Sequence, residues 1–360
     1  MKEKRPILID APRVGRSIEP LCGWYQKHAR KLPWRQTNDS YAIWVSEVML
    51  QQTRVEAVIP YYERFMTALP TIEALAEVDD DVLLKLWEGL GYYSRARNLK
   101  KAAQICAVQY GGRLPGSYTE LLKLPGFGPY TAGAVASIAW NLPVPAVDGN
   151  VMRVISRITA LEHDIKDPAT VRAVRELLCG VIEASEPGIL NQALMELGAC
   201  ICVPNGAPRC HECPVSAHCA ARENGQTELF PVKAPKKQRR IEEKTVIVVC
   251  VDDGVLLCKR ESKGLLANLY SFLCEDGHLT KETVIDICKQ HGITVESVSE
   301  MKPAKHIFTH IEWHMIGYLV QGTGKTLPYE NDIIAARHQI RTAYSIPRAF
   351  ASYQKEIGLL

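Results

Sequence analysis

Two carboxylates and four thiols carry most of the reactive chemistry in this sequence. Glu47 sits in Trp44-Val45-Ser46-Glu47-Val48-Met49-Leu50, among apolar neighbours that disfavour its charged form and raise its pKa. Asp148 sits in Val147-Asp148-Gly149-Asn150-Val151 at the expected start of a helix, where the helix dipole and free N–H groups favour the ionised carboxylate. Taken alone, Asp148 is simply an N-cap. As a pair, carboxylates whose surroundings push their pKa values apart divide proton donor from stabilising anion, the division used at glycosidic bonds. Spacing leaves open whether the two meet.

Cys202, Cys210, Cys213 and Cys219 form a C-x7-C-x2-C-x5-C set, four soft ligands in one short loop. Such a set suits either zinc or a [4Fe–4S] cluster, and ligand count does not separate the two. Cys200, in the apolar run Leu197-Gly198-Ala199-Cys200-Ile201, reads as a buried inert thiol. The remaining cysteines read as core. Twelve cysteines without a secretory leader argue against a disulfide scaffold.

The elements that must position these groups follow from punctuation. Ser117-Tyr118-Thr119-Glu120 reads as a capping box, and Asp167-Pro168 as a cap followed by proline at the first helical position. Leu124-Pro125-Gly126-Phe127-Gly128-Pro129-Tyr130-Thr131 precedes a helix expected over 131–140. Gly126 and Gly128, on either side of Phe127, let the chain turn so that N–H groups at the helix start can meet a phosphate. By itself the same segment is an ordinary helix–helix turn. Residues 14 to about 221 read as all-α.

From Glu223 the periodicity stops, and a basic stretch through Pro231 and Lys236-Lys237-Gln238-Arg239-Arg240 reads as linker. Beyond it, Thr245–Val251 and Val255–Arg260 flank Asp252-Asp253-Gly254, a hairpin signal in which glycine is expected to supply the positive φ. A helix is expected from about Lys281 to His291, stopping at Gly292, with a β segment at Ile311–Val320. This part is α+β. The expected limits are 1–221 for the helical domain, 222–243 for the linker and 244–360 for the second domain.

Bulk properties agree with two domains. The chain has 360 residues, more than one core usually supports, with 47% hydrophobic and 23% charged residues. No apolar run is long enough to cross a bilayer and the start, Met1-Lys2-Glu3-Lys4-Arg5-Pro6, is charged, so a soluble, cytoplasmic, monomeric protein is expected. A net charge of +3 is too small to establish a nucleic-acid partner. The basic runs Lys27-His28-Ala29-Arg30-Lys31 and Ser94-Arg95-Ala96-Arg97 read first as solvated faces.

Taken in order, Leu32-Pro33-Trp34-Arg35, the Trp44–Thr53 segment, Gly89-Leu90-Gly91-Tyr92-Tyr93, the glycine hairpin, Val147-Asp148-Gly149-Asn150 and the four cysteines resemble the MutY-type adenine glycosylases of the helix-hairpin-helix superfamily. The resemblance covers residues 20 to 221. It implies an all-α catalytic domain with a [4Fe–4S] loop on Cys202, Cys210, Cys213 and Cys219, and a Nudix-like domain behind it. It implies that Glu47 protonates adenine at N7 and later helps deliver water, while Asp148, Asn150 and Tyr130 hold the charge on the sugar. It assigns Arg30, Trp34, Arg35, Leu50 and Val55 to the adenine pocket. Gln52, Thr53 and Tyr92 fall to the opposing 8-oxoguanine, together with the loop Phe308-Thr309-His310. The implied partner is double-stranded DNA carrying 8-oxoguanine:adenine or guanine:adenine mispairs.

Two departures are visible. The first cysteine spacing has seven intervening residues where six are usual in the family, and Thr309 stands where serine is usual. Against a bifunctional pyrimidine glycosylase of the endonuclease III type stands Tyr130, in the place of the lysine that forms a Schiff base. Against a non-catalytic iron–sulfur scanning protein stand Glu47 and Asp148, which binding alone would not need. A Nudix hydrolase is opposed by Lys289 and Gln290, which stand where magnesium-holding glutamates are required.

Overall fold

Aspartates start the helices that matter here. In the computed structural model, which describes residues 7–235, 238–324 and 327–360, Asp39 caps the helix Ser40–Leu50 by accepting from the Tyr41 N–H at 3.0 Å. Asp148 caps Gly149–Thr159 through the Val151 N–H at 2.8 Å. Asp167 caps Pro168–Cys179 through the Ala169 N–H at 2.8 Å, with Pro168 at the first helical position as expected. The capping box expected at Ser117 does not form. The Ser117 hydroxyl instead pairs with Thr119 Oγ1, while Glu120 is engaged by Tyr110 and Lys123. The helix there, Tyr118–Leu121, is a single turn, and competing side-chain partners outbid its backbone.

Ser40–Leu50 is apolar on every side, and all residues from Tyr41 to Met49 are buried, so it runs through the interior rather than along the surface. It packs against Val55–Ala68 and Pro129–Trp140. A second core joins the helices Ala11–His28, Gly149–Thr159 and Pro187–Cys200 through Leu21, Val151, Ile155, Leu190 and Leu197. Each such side chain is worth roughly 1.5–3 kcal/mol of burial. Gly198 lets the last two helices touch, since a Cβ there would sit 2.6 Å from Asn150 Cβ. That close approach seats Asn150 and the start of the Asp148-capped helix.

The second unit is a mixed sheet. Its strands are β1 (Arg240–Val251), β2 (Gly254–Lys259), β3 (Tyr270–Ser271), β4 (Leu273–Asp276), β5 (Thr294–Ile307), β6 (Ile311–Thr323) and β7 (Asp332–Ala336). The order is β3-β2-β1-β6-β5, with β4 on β1 and β7 on β2. The β1/β6 pair is parallel and the others are antiparallel. From Thr245 to Val251, strand β1 is buried on both faces, which is why that half reads as a nearly unbroken apolar run after the largely exposed, mostly charged residues 240–244. Val246, Val248 and Cys250 join a core with Phe350 and Tyr353, and Ile247, Val249 and Val251 join one with Val284 and Cys288 of the helix Lys281–Gln290. That helix lies where the sequence places it.

The β1–β2 hairpin forms, but the positive φ belongs to Asp252 (φ 49°) and not to Gly254, which is already the first residue of β2 opposite Val251. Glycine is needed there for space: a Cβ would meet Ile334 Cγ2 at 2.6 Å.

By contacts, one unit comprises Met1–Glu77 with Asn98–Pro235 and the other Val78–Arg97 with Lys236–Leu360. Val78–Arg97 is held in the second unit by Lys85 Nζ, which donates to Ile340 O and Tyr344 O at 3.1 and 3.0 Å, and by a 2.8 Å Lys259–Asp81 ion pair. The stretch expected as linker is divided. Val232 O accepts from the Ile165 N–H and Ala234 N donates to Asp164, whereas β1 already begins at Arg240. Lys236, Lys237 and the charged start Met1–Pro6 lie outside the described residues. Among the described residues no helix is long and apolar enough to cross a membrane.

Candidate active site and cysteine loop

Glu47 and Asp148 line one cleft in the first unit, with a volume of about 130 Å³. Glu47 is 6% exposed. Burial pushes its carboxyl up to about 7; the Tyr130 hydroxyl, donating at 2.5 Å, pulls the other way, and the nearby charge of Asp148 adds to the rise. Tyr130 comes from the second residue of the helix Pro129–Trp140 and also touches Met195 Sδ at 3.5 Å. A carboxyl near 7 still holds its proton in a large share of molecules at neutral pH and can give it up to a base.

Asp148 is less favoured as an anion than its capping position suggests. Burial raises its pKa above the ordinary value, and the Val151 N–H, the Asn150 amide and Arg153 only oppose this. Asn150 Nδ2 donates to Asp148 Oδ2 at 2.6 Å, and its own Oδ1 accepts from Arg153 Nη2 at 2.8 Å, which fixes which end of the amide faces the carboxylate. Arg153, which sequence reading missed, also donates to Gly198 O and Cys202 O, both at 2.7 Å. One side chain thus ties the partner of Asp148 to the cysteine loop.

The opposite wall is an ion-pair cluster that sequence reading also missed. Glu196, 1% exposed, accepts from Arg30 Nε and Nη2 at 2.8 Å and from Arg35 Nη2 at 2.9 Å. Burial would raise its pKa, but the two guanidiniums overcome this and hold it down at about 2. The signal was present, since Met195-Glu196-Leu197 shows the same carboxylate-among-apolar pattern that singled out Glu47. Arg30 and Arg35 therefore serve as wall, with Arg30 also 3.5 Å from Glu56. Trp34, Leu50, Thr53 and Val55 line the same cleft, as does Gln192. Gln52 adopts a left-handed φ of 59° just beyond the Glu47 helix.

The glycine hairpin connects Tyr118–Leu121 to Pro129–Trp140. Gly126 has φ 83° and lies against Asn98, so a side chain would be strained and crowded there. Gly128 is the N-cap in extended conformation, and the first turn beyond it leaves amides without helical partners. Phe127 turns inward to stack on Trp44 at 5.2 Å, so its ring anchors the hairpin to the Glu47 helix while its backbone faces the turn.

All four loop cysteines line a second cavity with Arg157, Val215 and Leu197. Arg157 Nη1 lies 3.2 Å from Cys202 Sγ and its carbonyl 3.3 Å from Cys219 Sγ. Cys200, read from the sequence as buried, ends its helix half-buried and is not among the residues lining that cavity. Of the cysteines read as core, Cys106, Cys250 and Cys288 are buried, but Cys179 is exposed at a helix end.

Within the second unit, the β5–β6 turn carries Phe308, Thr309 and His310. The Phe308 ring packs on Trp313 at 4.9 Å, and Thr309 and His310 are exposed at the tip. Thr309 Oγ1 lies 3.0 Å from the hydroxyl of Tyr92, an exposed residue in left-handed conformation (φ 48°). The basic run containing Arg95 is not a solvated face. Arg95 is buried, donates to Leu90 O and Gly91 O, and stacks over Trp87, shaping the loop that presents Tyr92.

A buried proton-holding glutamate, a carboxylate at a helix start and a glycine hairpin on one helical unit define a class. Residues 45–179 match the HhH-GPD superfamily of base excision DNA repair proteins, and residues 245–355 match the NUDIX domain. Among solved structures, a thermostable thymine-DNA glycosylase aligns at TM-score 0.53 and 28% identity over 60% of this chain and 100% of that one. An endonuclease III–DNA complex aligns at 0.52 and 23% over 61% and 99%, a likeness of fold. An adenine DNA glycosylase of Buchnera aphidicola is 33% identical over 89% of this chain and 89% of its own length. The human adenine DNA glycosylase is 36% identical over 70% of this chain and 56% of its own length. The chain belongs to the adenine DNA glycosylase family.

Proposed function

We propose that this enzyme hydrolyses the N-glycosidic bond of adenine mispaired with 8-oxoguanine or guanine, and does not cut the strand. The observation that carries the chemistry is Glu47, buried, near pKa 7, bonded to Tyr130 and sharing a cleft with Asp148. Base flipping brings adenine into the cleft. Protonated Glu47 donates to N7, the C1′–N9 bond breaks with its electron pair leaving on adenine, and Asp148 balances the positive charge left on the sugar. Asn150, oriented by Arg153, and Tyr130 support that charge. The Glu47 carboxylate then takes a proton from the water that adds to C1′. Trp34, Leu50 and Val55 wall the base, and Arg30 and Arg35 hold that wall through Glu196. The Gly126–Gly128 backbone meets a phosphate.

Tyr130 supports the monofunctional reading, because its hydroxyl is already donated to Glu47 and a phenol forms no Schiff base. Reading of the opposite base falls to Gln52 and Thr53 in the first unit and to Tyr92, Phe308, Thr309 and His310 in the second, where the Tyr92–Thr309 contact supports a joint role. The domain limits that go with this reading are a catalytic domain over 1–221, a linker over 222–243 and a lesion-reading domain over 244–360.

Cys202, Cys210, Cys213 and Cys219 would hold a [4Fe–4S] cluster, which supplies a structural cross-link for the loop. The fit rests on four thiols around one cavity, with the Arg157 guanidinium beside Cys202 to offset thiolate charge.

A labelled 8-oxoguanine:adenine duplex, with half of each sample treated with hot alkali, tests the reading. Breaks only after alkali are expected. Breaks without alkali would make the enzyme a lyase, and no breaks at all would remove the glycosylase reading.

A further inference from the structure

The second unit contains a trio of side chains that adenine excision does not use. Cys258 of β2 and Asp332 of β7 are direct cross-strand partners, so their side chains project from the same face of the sheet. That face is covered by the helix Lys281–Gln290, and the residue that caps its C-terminus is His291, held by the carbonyls of Ile287 and Cys288. The sulfur, one imidazole nitrogen and one carboxylate oxygen all lie within 4.8 Å of one another. His291 Nδ1 is 2.5 Å from Asp332 Oδ2, the Asp332 side chain is 3% exposed, and the His291 ring lies 4.7 Å from Tyr329.

The three groups line the floor of a cleft, so any ion they hold keeps one side open to it. A thiolate, an imidazole and a carboxylate are the ligand mixture of a borderline-soft divalent ion. Magnesium and calcium want oxygen alone. Three protein ligands converging from a strand, its neighbour and a helix end, with a fourth position open, is the arrangement that zinc accepts. The histidine–aspartate bond is what such ligands do with their protons before a cation replaces them.

We propose that Cys258, His291 and Asp332 form a zinc site in the second unit, separate from the cysteine loop and independent of the glycosylase chemistry. Binding releases the thiol proton of Cys258, the imidazole carries its one N–H on Nε2, and the His291–Asp332 hydrogen bond gives way to direct bonds from the three side chains to the ion. The site joins β2, β7 and the helix end.

The test uses the full-length protein and Zn²⁺ itself. After exposure to zinc and gel filtration, zinc and iron are counted per chain. One zinc ion is expected in the wild type and in Cys213→Ser, and none in His291→Ala or Asp332→Asn, with iron unchanged in those two. Because a variant can lose metal by failing to fold, a second measurement uses wild-type protein alone: Co²⁺ should give the sulfur-to-cobalt charge-transfer and intense d–d bands of a tetrahedral thiolate site, and competing Zn²⁺ should remove them. A wild type that retains no zinc, zinc that disappears only with Cys213→Ser, or cobalt spectra without a thiolate band would each overturn the site.

Discussion

Glu47 and Glu196 stand on two walls of the same cleft, both among apolar neighbours on helices and both almost sealed from water. Burial acts on each in the same sense. Glu47 is bonded to one hydroxyl, has the charge of Asp148 nearby and feels Arg35 only at a distance, so burial prevails and its carboxyl rises to about 7. Glu196 has two guanidiniums, and its carboxyl falls to about 2. A buried carboxylate is therefore a proton reservoir or a structural anion according to its partners, and the cleft keeps one of each: a group that gives up a proton beside a group that stays ionised down to about pH 2.

Four measurements break or sharpen this contrast. The largest effect is expected for Glu47→Gln, which keeps shape but not the proton; single-turnover adenine release should fall by roughly 10²- to 10⁴-fold while duplex binding survives. A near-wild-type rate would remove Glu47 from the chemistry. Next, Glu196→Gln leaves Arg30 and Arg35 without their counter-charge and should cost roughly 3 kcal/mol in urea unfolding, the low end for a broken buried pair because the Arg30 side chain is 30% exposed. Its stability is contributed above the ordinary glutamate pKa and is lost only as pH falls toward about 2. Unfolding that matches wild type at pH 7 would mean the pair does not hold the wall.

The same substitution at Glu47 should have the opposite sign. A folded pKa raised from 4.5 to about 7 means that the wild type loses stability as pH rises through that window. At pH 8, Glu47→Gln should then be more stable than wild type by up to about 3 kcal/mol, at 1.36 kcal/mol per pKa unit. Equal or lower stability at that pH would contradict the assignment of a strained, desolvated carboxyl.

The smallest effect is a shift along the pH axis. The rate should fall about tenfold per unit above pH 7 as Glu47 loses its proton. In Tyr130→Phe the carboxylate loses the hydrogen bond donated by the Tyr130 hydroxyl, and the falling limb should move up by about one unit, the scale of one bond to a charged group. A limb that stays in place would show that Tyr130 does not set the titration.

By itself the sequence determined what local spacing can determine. Asp148 and Asp167 cap helices because each stands just before a helical run, with Pro168 following the second of them. The largely apolar segment from Tyr41 to Met49 could not face water on any side, so the burial of Glu47 was legible. The spacing of Cys202, Cys210, Cys213 and Cys219 put them in one loop, and the structure places all four around one cavity.

Tertiary structure decided what depends on groups far apart in the chain. Glu196 meets Arg30 across 166 positions, and only that meeting turns a buried carboxylate into a strong acid. Asp148 keeps its capping bonds, yet burial by residues outside its helix outweighs them. Ser117 fails to cap because Tyr110 and Lys123 take the glutamate that would have answered it. Cys258, His291 and Asp332 form no motif in the sequence, and strand register together with a helix end makes them neighbours. Pattern rules read the few residues before and after a position, whereas the field at a buried charge is a sum over whatever the fold packs within a few ångströms, at a strength that the low dielectric magnifies.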